Sequence, residues 1–238
     1  MIITETIEYV IADALFQGKI SWDDSITHKK PGILVAHTYA GQSEFEEEKT
    51  RALAKLGYVG FALDMYGKGI RANSPDHAQM LMDELNEDRS ILLSRIEASL
   101  RTLKGHQEVD ENIIAGIGFC FGGKCMLDLA RSGADIKGVV SFHGVYDQPD
   151  IDYTFPIKAS ILILHGWEDP LNTPSQTIGL AEELTQRNAD WQMLALGHIG
   201  HAFTNPNAQS PESGMMYSAQ ANDRAWNLML SFLNEIFP

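Results

Sequence analysis

The chain has 238 residues, 44% of them hydrophobic and 21% charged, with a formal net charge of −14 from 32 acidic and 18 basic side chains. Such a surface repels phosphate backbones, so no nucleic-acid partner is expected, and an anionic substrate needs local cations in its cleft. No run of eighteen apolar residues, no basic leader before Glu8 and only two cysteines, Cys120 and Cys125, predict a reduced cytoplasmic protein with no membrane span and no disulfide framework.

Residues 6–10 alternate, and residues 14–16 precede 18–20, which predicts an N-terminal β-hairpin. Residues 32–36 form a short continuous apolar run, the pattern of a buried parallel strand. Ser43 and Glu46 have capping-box spacing for a helix with Phe45, Ala52 and Leu56 on one face and Gly57 at its end. A strand over 58–63 follows. One long helix is expected from Ser74-Pro75 to Gly105, with Leu81, Leu85, Leu92, Ile96, Leu100 and Leu103 as its stripe.

The strand over 113–119 runs into a helix over 121–131. Further strands are predicted over 138–142, 161–164 and 191–196, with Thr173-Pro174 opening a helix between the last two. A final helix carries Trp226, Met229, Leu230, Leu233 and Phe237 on one side. The stretches 68–74 and 204–214 read as loops. Strand and helix alternate nearly throughout, so the expected fold is α/β, a mostly parallel twisted sheet with helices on both faces, in a single domain over 1–238.

Sites in such sheets form at the carboxyl ends of strands. Cys120 lies at such an end, inside Gly118-Phe119-Cys120-Phe121-Gly122. This is the form glycine, any residue, nucleophile, any residue, glycine. A nucleophile on that turn takes a strained backbone, and side chains two places away would collide with strand and helix. The helix N-terminus favours a thiolate, and the Phe121 N–H is placed to meet a developing oxyanion. Taken alone, the pentapeptide is also compatible with a buried core cysteine, which is how Cys125 reads.

A nucleophile needs a base and an orienting acid, and the elbow predicts the order nucleophile, acid, histidine. Asp169 follows the strand over 161–164. Two histidines, His198 and His201, follow the strand over 191–196 and compete for the base. His143 and His165 also stand at strand ends and read as packed or hydrogen-bonded spectators. No H-E-x-x-H or clustered Cys/His spacing suggests a metal, and neither phosphate-loop pattern is complete. No cofactor is expected.

The elbow with Gly123, His165-Gly166 with Asp169, His201-Ala202-Phe203 and the segment 58–68 together resemble the dienelactone hydrolase family of α/β-hydrolases. The likeness runs from about Pro31 to the last helix. It implies an α/β-hydrolase fold and hydrolysis of a small-molecule ester, lactone or thioester through an acyl-cysteine. Cys120 is then the nucleophile, His201 the general base and acid, and Asp169 its orienter. The loop after the first parallel strand supplies the second oxyanion N–H, that of Tyr39.

Dienelactone-cleaving members carry a glutamate in that loop, where this chain has Thr38, and an arginine shortly after the histidine, where it has Asn205. Lys68 and Arg71 are the remaining candidate carboxylate binders, but they read first as solvated loop charges. Trp167, Tyr39, Phe121 and Phe203 offer an aromatic pocket for a less charged ester, with Thr38, Trp167 and Phe203 as candidate substrate contacts. Glutamine amidotransferases and DJ-1-like proteins also use elbow cysteines, but Lys124 and Ala202-Phe203 depart from the amidotransferase pattern. The other reading is a redox-sensing or scaffold protein with a reactive thiol. Oligomeric state is not legible.

Overall fold

The computed structural model describes residues 1–151 and 155–237. The chain folds as two units, Met1–Ile117 and Gly118–Pro238.

In the first unit the hairpin is longer than its apolar pattern. β1 (Ile2–Ile11) and β2 (Ala14–Asp23) pair antiparallel from Ile2 opposite Asp23 to Ile11 opposite Ala14. Alternation buries Tyr9, Phe16, Ile20 and Trp22 and leaves Thr4 and Thr6 exposed. β3 (Lys30–Ala36) is buried almost throughout and pairs parallel with β4 (Val59–Ala62), which in turn pairs antiparallel with β2. The strand order within this unit is β1-β2-β4-β3, then β5 (Val109–Phe119).

Two helices differ from expectation. α1 (Glu44–Ala54) has the predicted capping box, but its buried residues are Glu46, Thr50, Leu53 and Ala54. Leu56 is exposed and Phe45 only half-buried, so the Phe45–Ala52–Leu56 face is not the inward one. The reason is polar pairing. Glu46 closes the cap, and the Thr50 hydroxyl meets that of Ser21 at 3.0 Å. The predicted long helix is two, α2 (Pro75–Glu87) and α3 (Arg89–Lys104). Asp88 leaves the helical region (φ −126°, ψ 90°) and its carboxylate accepts from the N–H groups of Ser90 and Ile91, so it caps a new helix. The apolar stripe stays in phase across this break.

In the second unit α4 (Phe121–Arg131), β6 (Gly138–Phe142), β7 (Ser160–Gly166), α5 (Pro174–Gln186) and β8 (Trp191–Leu196) alternate as expected. β6, β7 and β8 lie side by side and parallel. α6 (Ala219–Ile236) buries Ala225, Met229, Phe232 and Leu233, while Trp226, Leu230 and Phe237 are half-buried. The loop expected over 204–214 contains structure. β9 (Gln209–Ser210), a 3-10 turn (Pro211–Ser213) and β10 (Met215–Met216) form a small hairpin.

Buried charge ties α4 to its surroundings. Arg131 is almost fully buried and donates to Asp128 at 3.1 Å, to Glu183 of α5 at 2.7 and 2.9 Å, and to the Tyr146 carbonyl at 3.3 Å. With acceptors on every side, the guanidinium is compensated for its loss of water.

Candidate active site

Cys120 stands between the last residue of β5 and the first of α4, with φ 56° and ψ −117°. That conformation is costly for a residue with a Cβ, and persists only where the surroundings fix it. The Cys120 N–H donates to the Phe142 carbonyl of β6 at 3.0 Å, which fixes one side of the turn. A Cβ on Gly118 would lie 2.0 Å from the Gly122 carbonyl oxygen, so strand and helix backbones meet where side chains are excluded. The spacing of the elbow glycines is thus a packing requirement.

Asp169 and His201 are brought together by two loops in close contact. A Cβ on Gly166 would lie 2.3 Å from the Gly200 carbonyl oxygen. The N–H groups of Trp167 and Glu168 donate to Leu196 and Ile199, each at 2.9 Å. Asp169 Oδ1 accepts from the Leu171 N–H at 2.8 Å, leaving Oδ2 to accept from His201 Nδ1–H at 2.7 Å. Both side chains are buried. His201 is also held from the other side. Its N–H donates to Gly214 at 2.8 Å, its carbonyl accepts from Met216 at 3.2 Å, and it bridges to Met215. Sequence reading missed this hairpin, because two-residue strands show no periodicity.

His201 and Cys120 act on each other electrostatically, and their ionisations move in opposite directions. Burial by itself raises the Cys120 thiol. The neighbouring His201 charge and hydrogen bond, with the Phe121 N–H, outweigh it and bring the thiol below its ordinary value. Burial lowers His201, while Cys120 and Asp169 raise it to a net upward shift. Both shifts act in the direction of a thiolate beside an imidazolium, whose other nitrogen is held by Asp169.

His198 takes no part in this arrangement. It is exposed and pairs with Glu168 at 3.0 Å. His165 is buried between Tyr146 and Thr177, at 3.2 and 3.0 Å. Trp167 is 41% exposed beside the Asp169 loop, whereas Phe203 has no solvent-accessible surface and packs edge-on against His143. In this conformation Phe203 presents nothing to a substrate, because its ring fills the core beneath the histidines.

In the first unit the loop after β3 is held at almost every polar atom. His37 Nδ1–H donates to the Thr38 carbonyl at 2.6 Å, and His37 Nε2 accepts from Met65 N–H at 3.1 Å. Glu46, buried and raised in pKa by burial against the opposing bonds from Ser43 and Thr38, accepts from the Ser43 N–H at 2.9 Å and from Thr38 N–H at 3.4 Å. A carboxylate from α1 thus lies against Thr38, the position where dienelactone-cleaving members carry glutamate. The Tyr66 hydroxyl donates to the Tyr39 carbonyl at 2.8 Å. The Tyr39 N–H finds no acceptor among the described residues. Arg71 donates to Gln42, Asp64, Gly67 and Ile70, and Lys68 pairs with Glu8 at 2.6 Å. Both cations proposed for a substrate carboxylate are engaged within the protein.

A parallel α/β scaffold with a strained cysteine elbow, and a buried aspartate and histidine on the next loops, defines an α/β-hydrolase. The comparisons narrow this. The dienelactone hydrolase family model matches residues 17–237, and the chain belongs to that family. It is a hydrolase of a family acting on lactone and ester bonds. A solved structure titled m3DLH is 32% identical, with a TM-score of 0.95 over 100% of this chain and 99% of its own. A dienelactone hydrolase-like promiscuous phosphotriesterase, P91, from metagenomic libraries, is 32% identical at TM-score 0.93, over 100% of this chain and 99% of its own. A relative from Aquifex aeolicus named "Putative carboxymethylenebutenolidase" is 28% identical over 207 residues, 85% of this chain and 87% of its own. No helix among the described residues is long and apolar enough to cross a membrane.

Proposed function

We propose that the chain hydrolyses uncharged carboxylic esters, lactones or thioesters through an acyl-Cys120 intermediate, in a cytoplasmic setting. The observation that carries this reading is the Asp169–His201–Cys120 line, with Nδ1–H of His201 on Asp169 at 2.7 Å and the lowered Cys120 thiol on its other side.

Cys120 thiolate attacks the carbonyl carbon and its electron pair forms the carbon–sulfur bond. The carbonyl π pair moves to oxygen, where the Phe121 N–H receives it. The oxyanion collapses, and His201 gives its proton to the leaving alkoxide or thiolate. Neutral His201 then takes a proton from water, whose oxygen attacks the acyl carbon. Collapse of that second intermediate returns the thiolate and releases the acid. Asp169 holds the ring in the tautomer both steps need.

The uncharged substrate class rests on the cations. Arg71 and Lys68 are engaged, Lys124 pairs with Asp147 at 2.7 Å, and the net charge is −14. Trp167, Leu171 and Met216 are exposed apolar side chains on the loops that carry Asp169 and hold His201. Trp167 is the substrate contact we retain. A pure oxidant sensor needs only the thiolate, so the oriented aspartate and histidine favour catalysis.

The test is turnover of paired substrates by wild type and Cys120→Ala: neutral short-chain aryl esters against dicarboxylic mono-esters. An uncharged phosphotriester is included because one relative is titled a phosphotriesterase. The expected result is faster cleavage of neutral esters and loss in the variant. A strong preference for the anionic ester contradicts the substrate class, and equal activity in Cys120→Ala contradicts the mechanism.

A further inference from the structure

His143 is a buried titratable residue with no step in that mechanism. It follows the last residue of β6 and has φ 36°, a region a side chain with a Cβ rarely adopts. Its N–H donates to the Leu164 carbonyl of β7 at 2.8 Å, and the next residues are pinned by Asn172, which donates to the Gly144 carbonyl and accepts from the Tyr146 N–H. The backbone is thus held in a strained state that carries an imidazole into the core.

The imidazole lies at the base. Its centroid is 4.9 Å from that of His201, with the ring planes at 68°. Phe203 packs edge-on to it at 5.1 Å, and Phe119 lies at 6.2 Å. His143 Nε2 meets the Thr204 hydroxyl at 2.8 Å, while Nδ1 has no partner among the described residues. A hydrogen on that buried Nδ1 would be an unpaired donor, which is costly. The favoured tautomer therefore carries its hydrogen on Nε2, donates it to Thr204 and leaves a lone pair on Nδ1. Burial first, and then the adjoining His201, keep the ring neutral. A neutral electron-rich ring next to a cationic imidazolium is an attractive pairing, whereas a second cation there would be repulsive.

The geometry points to His143 as a positioning residue for the base: fixed through Thr204, its ring packs against His201 and holds it on the line between Asp169 and Cys120. Leu171 fixes the Asp169 carboxylate, the Gly214–Met216 strand fixes the His201 backbone, and His143 restrains the plane of the ring itself. Cys120, Asp169, His143 and His165 are the titratable groups that act on this ring or share its field. The inference rests on Cys120 and His201 being the reacting pair.

The experiment compares His143→Phe, Thr204→Val and Thr204→Ser in the full chain, with thermal melting to establish folding. The first readout needs no substrate: the pH dependence of Cys120 alkylation by iodoacetamide, located by peptide mass. The second is kcat and KM on a neutral ester. Loss of the restraint should move the alkylation midpoint up by about one pH unit in His143→Phe and Thr204→Val. It should lower kcat about tenfold with KM within about twofold, and Thr204→Ser should restore both. Folded variants with the wild-type midpoint overturn the proposal. If His143→Phe does not fold, the Thr204 pair decides, and identical behaviour of valine and serine overturns it. A shifted midpoint in a protein that cleaves no ester removes the hydrolytic reading alone; an active protein with an unshifted midpoint removes the role of His143 alone.

Discussion

Two histidine–carboxylate pairs lie on the same two loops, their histidines three residues apart and their acids adjacent. His201 and Asp169 meet at 2.7 Å with side-chain exposures of 3% and 0%. His198 and Glu168 meet at 3.0 Å with 95% and 59% exposed. The residue types are nearly the same and the bond lengths are close. What differs is solvent. Water screens the outer pair, so its attraction is weak and its geometry is one of many. The inner pair has been stripped of water, and each atom has one partner. His201 Nδ1 therefore has one fixed partner, and the ring feels the neighbouring Cys120 as well. On the proposed mechanism, burial and the second partner make the base, not a carboxylate nearby.

This comparison is broken most severely by exchanging the two histidines' fates. His201→Ala should lose about a thousandfold or more in kcat/KM on a neutral ester, while His198→Ala should stay within about twofold. Comparable losses in the two variants would erase the distinction. Conservative changes in the acids sharpen it. Asp169→Asn keeps the shape and offers the wrong tautomer partner, so a loss of roughly a hundredfold or more is expected, against little change for Glu168→Gln. Steady-state kinetics on both variants check this.

The pH dependence carries the same contrast. The Cys120 thiol is lowered, so alkylation should persist below the ordinary thiol range and fall only when acid protonates the thiolate. In His201→Ala the main lowering partner is gone and only the Phe121 N–H still opposes burial, so the midpoint should rise above the wild-type value. Glu168→Gln should leave it in place. A midpoint indifferent to His201 would show that no ion pair exists.

The same lesson applies to stability. Arg131→Ala removes the buried cation that Asp128 and Glu183 share, leaving Glu183 only the longer pair with Arg187 at 4.0 Å, and a loss of about 3–5 kcal/mol is expected in chemical denaturation. Arg51→Ala removes a half-exposed helix-surface partner of Glu44 and Glu47 and should cost less than about 1 kcal/mol. Similar losses in both would mean burial is not the deciding factor.

Much of this was legible in the sequence because each signal had a steric or periodic cause. Gly118 is required where backbones meet, so the elbow stands out around Cys120. The order of Cys120, Asp169 and His201 follows from strands ending on one edge. His198 and His201 stood level on residue type, since both follow a glycine at a strand end and exposure leaves no mark on the letters. The helix break at Asp88 was hidden by a stripe that stays in phase. The α1 face was misread because Glu46 and Thr50 go inward as hydrogen-bonding groups, against their usual tendency. The β9–β10 hairpin that holds His201, and the Thr204 contact that singles out His143, depend on contacts no local pattern encodes.

The central claim is the covalent one. The most direct measurement is rapid acid quench of the wild-type protein with a neutral acetyl ester, followed by intact and peptide mass analysis. The account predicts one acetyl group per chain, on Cys120, before steady state, absent in Cys120→Ala. Turnover with no added mass, undiminished in Cys120→Ala, would contradict it.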